Sequence, residues 1–426
     1  MAIEEDQVRS SDIYKTLSAP LDVQVEVTTR CNEACVHCYN FWRGEQFRKQ
    51  VANFPQKTLQ KDQLSHIIAE LIQDQVFSVT FTGGEPFLYR STVIEGIRQA
   101  QEGGIDCSLN SNLTTMNPAM ADRLKEVGLS SILTSLHSFG EETHDAITQR
   151  KGSFKRTIRG IQVCQEAGLS VAVNMVVTRM NQNQVFETGA FVKRLGIKTF
   201  SATKASPCLS GTNFSEIGIN REAFKQMLEN LLRLERNEEI NVDVLMSYPL
   251  CALGDGDRFR KFTQRNCAAG VTTCTIGADG GIRPCSFADE SYGYIFSEPL
   301  SQVWHGMEAK FAGDKKGMDP LATNFLDVRY SPPVAEFDHA PSDFWEKRLI
   351  ITPNLRLRRE NFGGIIAPQG RQPIFIDNTA YEIIDRLKNA SSLFSFKGIE
   401  HDFKLSRASS DFFFALFTKE FFREVQ

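Results

Sequence analysis

The sequence predicts an α/β protein: a partial (βα)6 TIM-like barrel or an open parallel sheet, followed by smaller modules. Three observations carry this. From about residue 21 to 215, short apolar runs alternate with longer amphipathic ones, the pattern of parallel strands joined by crossover helices. Several amphipathic stretches end in glycine, as helices entering a tight turn often do. The chain has 426 residues, beyond the size at which one core splits, and its texture changes near residues 246 and 308.

Residues 1–20 form an acidic extension, MAIEEDQVRSSDIYK at its start. It lacks the apolar core of a signal peptide, so the protein is expected in the cytoplasm. Six strands are predicted in 21–215: VQVEV (23–27), VFSVTFT (76–82), IDCSLN (105–110), SSILTSL (130–136), VAVNMVV (171–177) and KTFSAT (198–203). Helical periodicity fills 61–73, 93–103, 118–128 and 154–168 between them. A bridging segment, 216–245, reads as a helix over 218–239. Residues 246–307 are cysteine-rich, and GADGGIRPC within them predicts a β-hairpin turning at Asp279-Gly280-Gly281. Residues 308–345, with Pro320, Pro332, Pro333 and Pro341, read as a linker. The last segment, 346–426, opens with strand-like RLIITP and LRLRREN and closes with helical NTAYEIIDRLKN and SSDFFFALFTKEFFREV. Nine of the chain's 32 Phe lie between 394 and 422, enough to core a small α+β domain.

Composition narrows the function. Hydrophobic residues make up 41% and net charge is −4, which excludes a general nucleic-acid or membrane-surface binder. No apolar run reaches the roughly 20 residues of a membrane span. In a reducing compartment, clustered cysteines bind metal or do chemistry rather than form disulfides. Of ten cysteines, three lie in TTRCNEACVHCYN (28–40), four between 251 and 285, and Cys107, Cys164 and Cys208 stand alone. Cys107, in a strand, and Cys164, on a helix, read as core.

Cys31, Cys35 and Cys38 are spaced CxxxCxxC. Three thiolates leave one tetrahedral position open. Zinc completed by His37 is one reading, but adjacent His37 and Cys38 point poorly at one metal, and zinc ligands usually come as two separated pairs. A cubane iron–sulfur cluster held by three cysteines is the other, and its exposed iron can bind a further ligand. The loop resembles the cluster motif of the radical S-adenosylmethionine (SAM) superfamily. That resemblance implies a 4Fe–4S cluster whose open iron is chelated by SAM. It further implies a 5′-deoxyadenosyl radical that takes hydrogen from a C–H bond. His37 holds the place of the family's aromatic residue, and Tyr39 follows the third cysteine. The second strand ends in Gly83-Gly84-Glu85-Pro86, similar to the superfamily's GGEP, which holds the SAM amino group. Asn110, Ser111 and Asn112 resemble the polar stretch after the third strand. Ser135 falls where the family hydrogen-bonds SAM, with His137 replacing an Asp. The family often places an Arg four residues before a Gly-Ser-Phe. Gly152-Ser153-Phe154 is present, but Thr148 sits at that place, and the carboxylate-clamp role falls to the displaced Arg150. Asn174 and Val176 occupy the positions that meet adenine.

Cys267 precedes Gly280 by a twelve-residue gap, and Cys285 follows after four more residues. This resembles the opening of the SPASM or Twitch extension, and implies one auxiliary 4Fe–4S cluster with Cys251, Cys267, Cys274 and Cys285 as ligands. A zinc site of four thiolates stays open. Residues 346–426 resemble winged-helix-like RiPP recognition elements, related to the peptide chaperone of pyrroloquinoline quinone biosynthesis (RiPPs are ribosomally made, post-translationally modified peptides). The likeness implies a precursor-peptide partner whose leader adds to a sheet edge; a domain that only packs is the alternative. The combined resemblance implies a RiPP-maturing enzyme served by an electron donor such as flavodoxin or ferredoxin. The expected product is a thioether or carbon–carbon crosslink. Epimerisation at Cα, with Cys208 returning the hydrogen atom, and action on a small molecule or protein side chain are the alternatives.

Overall fold

The computed structural model describes residues 17–40, 57–206, 214–246, 248, 258–263, 267–314, 342–390, 393–403 and 407–425. They fall into two compact units. Leu17 and Ser18 cluster with the residues from 342 onward, whereas Ala19 to residue 314 make the larger unit.

The larger unit is built on one ten-stranded sheet. All six predicted strands form: β1 (Asp22–Thr28), β2 (Ser78–Gly83), β3 (Asp106–Asn110), β4 (Ser131–Ser135), β5 (Val171–Val177) and β6 (Thr199–Lys204). They pair in chain order and all are parallel. Helices α1 (Lys61–Gln73), α2 (Arg90–Glu102), α3 (Pro118–Glu126), α4 (Glu141–Thr148), α5 (Ser153–Glu166) and α6 (Val185–Arg194) make the crossovers. Local chemistry starts α3 where it does: Pro118 fills its first position, and the Asn117 side chain accepts the Met120 N–H at 3.1 Å.

Register gives the sheet two different faces. Val25, Phe81, Leu109 and Ile132 lie side by side across four strands, all buried in the core. The alternate residues are mostly polar: Gln24 beside Thr80 beside Ser108, and Ser135 beside Asn174 beside Ser201. Thr80 and Ser108 hydroxyls meet at 2.8 Å, and the Thr203 hydroxyl donates to Asn174 Oδ1 at 2.9 Å. A parallel sheet packed on one face and polar on the other has a site-bearing interior.

Helix α7 (Arg221–Glu238) fills the bridging segment, and β7 (Asn241–Asp243), which the sequence did not signal, then pairs with β6. The cysteine-rich segment also joins this sheet. Strand β8 (Thr273–Ile276) lies parallel to β1, with Cys274 beside Val23. The predicted hairpin runs from β8 into antiparallel β9 (Gly281–Arg283), and β10 (Gly293–Tyr294) ends the sheet. Helix α8 (Leu300–Asp314) buries Trp304 and continues past residue 308, where the linker was expected to begin.

The smaller unit holds a three-stranded antiparallel sheet of β12 (Arg356–Glu360), β13 (Gly363–Ala367) and β14 (Ile374–Ile376), with β11 (Leu349–Ile351) pairing β15 (Phe422–Glu424). Helices α9 (Asn378–Ala390), α10 (Phe396–Phe403) and α11 (Arg407–Thr418) complete it. The expected helix start holds: Asp377 accepts the Ala380 N–H at 2.8 Å. Phe396, Phe413, Phe421 and Phe422 are core, as the phenylalanine count implied. Phe344 is buried with them, so the domain begins inside the segment assigned to the linker. Glu360, itself buried, takes Arg358 Nε at 2.8 Å and both the N–H and hydroxyl of Ser18 at 2.9 and 3.0 Å.

Candidate active site

The three-cysteine loop follows β1 directly, at the carboxyl edge of the sheet where parallel α/β folds place their chemistry. Its start is fixed by the glycines that follow β2. Gly84 N–H donates to the Thr28 carbonyl at 2.6 Å, and Glu85 N–H to the Arg30 carbonyl at 2.7 Å. A Cβ on Gly84 would stand 2.0 Å from the Arg30 oxygen, so only glycine permits this approach. Gly83 adopts φ +130°, and a Cβ there would meet the Thr28 oxygen at 2.4 Å. The rest of the loop is tied down as tightly. Asn32 accepts from Asn112 Nδ2 at 2.7 Å and donates to Thr114 at 2.8 Å. Ala34 and Val36 N–H groups bond the last carbonyls of α4 at 3.0 Å, and Asn40 Nδ2 reaches the Gly83 carbonyl at 3.0 Å.

Glu85 is buried and acts as a staple between strand ends. Its carboxylate accepts from Ser111 Oγ at 2.8 Å, Asn112 N–H at 2.8 Å and Phe87 N–H at 2.9 Å. Burial pushes its carboxyl up to about 7, against those donors. Asn110 and Ser135 end their strands, Val176 is next to last in β5 and Asn174 is at its midpoint, each partly exposed. His137 accepts the Val176 N–H on Nδ1 at 3.3 Å, which leaves its proton on Nε2. A column of rings runs through this end: His37 to His137 at 4.5 Å, His137 to His144 at 5.5 Å. Burial lowers all three imidazoles, His37 and His144 to about 4, so the column is neutral. His37 Nδ1 is buried with no hydrogen-bond partner among the described residues. One ligand atom each from Cys35, His37 and His137 lies within 4.8 Å of the others. Glu33, which the sequence reading passed over, lies beneath the loop: Ser153 donates to it, and Cys35 Sγ sits 3.8 Å from its other oxygen. The Gly-Ser-Phe signal was the clue to Ser153. Arg150 is exposed after α4; its N–H donates to the Asp145 carbonyl at 3.2 Å and its carbonyl accepts the Ser153 N–H at 3.1 Å, backbone contacts that lend no support to the clamp role.

Comparison with known proteins decides between the metals. Residues 25–192 match the radical SAM superfamily. The matched segment is a radical SAM domain. An AdoMet-dependent heme synthase of Methanosarcina barkeri is 24% identical over 303 residues, covering 68% of this chain and 84% of the relative. The mycofactocin maturase MftC of Mycolicibacterium smegmatis is 28% identical over 274 residues, 64% of this chain and 66% of that one. Streptococcus suis SuiB, solved bound to precursor peptide SuiA, shares the fold with a TM-score of 0.57 at 18% identity. It covers 74% of this chain and 68% of SuiB.

A radical SAM enzyme uses SAM and a 4Fe–4S cluster, and the residues here fit both. Three thiols share one loop held by its backbone, and an unpartnered buried imidazole nitrogen stands beside them. In the second cysteine group the structure brings two members together. Cys267 is exposed; burial raises the Cys285 thiol, the neighbouring Phe287 and Ala288 amides offset this only in part, and the nearby Cys267 raises it further. Amide donors aimed at a thiolate suit a cluster ligand. Cys274 is elsewhere: it belongs to the hydrophobic core beside Val23, burial raises its thiol, and Asp22 is its charged neighbour. Strand periodicity turns it to the packed face. Cys251 and Cys208 lie outside the described residues.

The two cysteine loops of the radical SAM enzyme also meet each other. The Tyr39 and Phe287 rings lie 4.6 Å apart. Burial pushes the Tyr39 hydroxyl up to about 12, with Ser286 and Thr82 offsetting part of the rise. Beneath them Glu26 of β1 and Arg283 of β9 form a buried ion pair, and Arg283 Nη1 also reaches the Ala288 carbonyl at 2.8 Å.

Proposed function

We propose that this radical SAM enzyme modifies a ribosomally made precursor peptide and joins two of its atoms in a thioether or carbon–carbon crosslink. The observation that carries the reading is the three-thiol loop pinned over the polar face of the sheet by Gly84 and Glu85. When bound there, SAM and the cluster supply a 5′-deoxyadenosyl radical able to take hydrogen from a C–H bond. This chain's residues hold and orient: Asn32, Asn112 and Thr114 fix the loop, and Ser135, Asn174 and Val176 share the side of β4 and β5 where SAM would lie. The neutral histidine column puts no cation beside the site.

Three features support a peptide substrate. MftC is a maturase, SuiB was solved with a precursor peptide, and the smaller unit has a three-stranded sheet whose outer strands are β12 and β14. Such an edge suits capture of an extended leader. For the second cysteine group we propose an auxiliary 4Fe–4S cluster on Cys267 and Cys285, with Cys251 as a third ligand. An oxidising sink suits crosslinking, which removes a second electron after hydrogen abstraction. A flavodoxin or ferredoxin is the proposed reductant. Similarity to heme synthases favours a second reading, in which the substrate is a tetrapyrrole.

The test is anaerobic. The reconstituted protein receives SAM, reductant and either the short peptide encoded nearest to it or an iron porphyrin, in D2O. A peptide lighter by two hydrogens supports the proposal. Gain of one solvent deuterium without other change, abolished by Cys208→Ala, replaces it with epimerisation. Conversion of the porphyrin with the peptide untouched overturns it.

A further inference from the structure

We infer that exposed cations flanking the three-cysteine loop form the docking surface for an acidic one-electron carrier protein. The inference rests on the proposed flavodoxin or ferredoxin reductant and goes beyond it, because it says where that partner sits and what it recognises. The loop meets solvent at its crest, where Ala34 is exposed and Cys35 beside it is half-buried. Two segments of chain border that crest. On one side the Ala34 and Val36 N–H groups donate to the Thr148 and Ile147 carbonyls at 3.0 Å, so the turn between α4 and α5 lies against the loop. That turn carries Arg150 and Lys151, and Arg156 of α5 is tied back to it, Nη2 donating to the Lys151 carbonyl at 3.1 Å. On the other side the Lys57 carbonyl accepts the Thr29 N–H at 2.9 Å, which sets Lys57 beside Arg30, the residue before Cys31. All five residues are exposed. None of them forms an ion pair among the described residues, whereas their neighbour Lys155 is paired with Glu141 at 2.9 Å. The carboxylates of Glu33 and Asp145, on the same segments, turn inward. Glu33 accepts from Ser153, and Asp145 accepts the Gly152 and Phe154 N–H groups at the start of α5. The charge left outside is therefore positive, on a chain whose net charge is −4.

Solvated surface cations are ordinary one at a time. Here they border the point where the thiol loop reaches solvent, on segments hydrogen-bonded to that loop. An electron must arrive there from outside. The carrier gives up one electron, the SAM site takes up one, and no proton or bond changes hands. The carrier has to approach closely, stay briefly and leave. Opposite charge supplies that behaviour, because it raises the rate of encounter more than the strength of the complex. Redox pairs of this kind bury little area, so a patch of five cations is large enough to guide one. An acidic stretch of the precursor peptide is the competing occupant, and the test separates the two.

The experiment titrates the full reconstituted chain with a flavodoxin of net negative charge, by calorimetry, at low salt and at about 1 M salt, where screening acts within ~3 Å. Lys57→Glu combined with Lys151→Glu reverses one cation on each side of the crest. At low salt it should weaken flavodoxin binding about ten-fold and slow flavodoxin-driven formation of 5′-deoxyadenosine to match. At high salt the variant and the wild type should converge. Lys57→Gln with Lys151→Gln should fall between, about three-fold weaker, and carries the test if the reversed protein misfolds. Wild-type affinity for flavodoxin in both variants at low salt overturns the inference alone. Weakened binding of the precursor peptide with flavodoxin binding unchanged overturns it in favour of a peptide surface. A wild type that cleaves SAM with dithionite, yet neither binds nor takes electrons from the flavodoxin or a ferredoxin, overturns the proposed reductant and the inference with it.

Discussion

Gly84 and Glu85 look alike as motif letters but do different work. Gly84 is a matter of space. With a Cβ 2.0 Å from the Arg30 oxygen, Gly84→Ala must push the cluster loop off β2. We expect it to cost about 1–3 kcal/mol in urea unfolding and to lose iron from the SAM site. Unchanged iron and unfolding midpoint would refute the close-approach argument. Glu85 is a matter of protons. In the folded chain it holds its proton up to about 7, whereas the unfolded chain releases it near the ordinary 4.5. Between those values the folded state binds more protons, so stability falls as pH rises through that window. Unfolding midpoints of apo protein at pH 5 and 7.5 should therefore differ less in Glu85→Gln than in the wild type. Equal differences would place the titration elsewhere. Cys274 divides ligand from core: Cys274→Ala should keep the iron count and cost roughly 1–2 kcal/mol, whereas Cys285→Ala should remove auxiliary iron. The sequence showed Cys31, Cys35 and Cys38 plainly because their spacing sits in one loop. It could not show Glu33 or Ser153, which are 120 residues apart and meet only through the fold. It also could not show that Cys274, counted among the ligands although it departs from the family's spacing, falls on the packed side of a strand.

Among elements, the six parallel strands were legible because each is a short apolar run bounded by helical periodicity. Strand β7 was not, because Asn241–Asp243 has three residues and carries no pattern by itself. Nor was the attachment of β8. The hairpin signal in GADGGIRPC predicted β8 against β9 correctly, but nothing local tells TCTI to lie beside β1, some 250 residues earlier. That junction is locked by the buried Glu26–Arg283 pair, which spans β1 and β9. Breaking one side leaves a buried charge, so Arg283→Met should cost about 3–5 kcal/mol. Glu26→Leu with Arg283→Met should cost less than Arg283→Met alone. Chemical denaturation of the three variants measures the coupling, and additive costs would show that the pair does not hold the strands together. Helix α8 was partly misread: its first half was assigned to the cysteine-rich segment and its second to the linker, although one helix carries both.

For the whole molecule, the division of labour predicts separable losses. A chain lacking residues 327–426 should still bind SAM and cleave it reductively, while binding of a precursor peptide weakens at least about ten-fold. Isothermal titration and deoxyadenosine counting check the two halves, and undiminished peptide affinity would leave the smaller unit without the assigned task. Sequence composition foresaw a phenylalanine-cored domain at this end, but not that Leu17 and Ser18 would join it. That membership, made through Glu360, has a consequence for how the protein comes apart. The backbone passes between the two units twice, once at Ser18–Ala19 and once after residue 314. A protease that nicks only the second crossing leaves the two fragments joined through the noncovalent contacts of Leu17 and Ser18 with the smaller unit, so a native gel can hide a cut that a denaturing gel reveals.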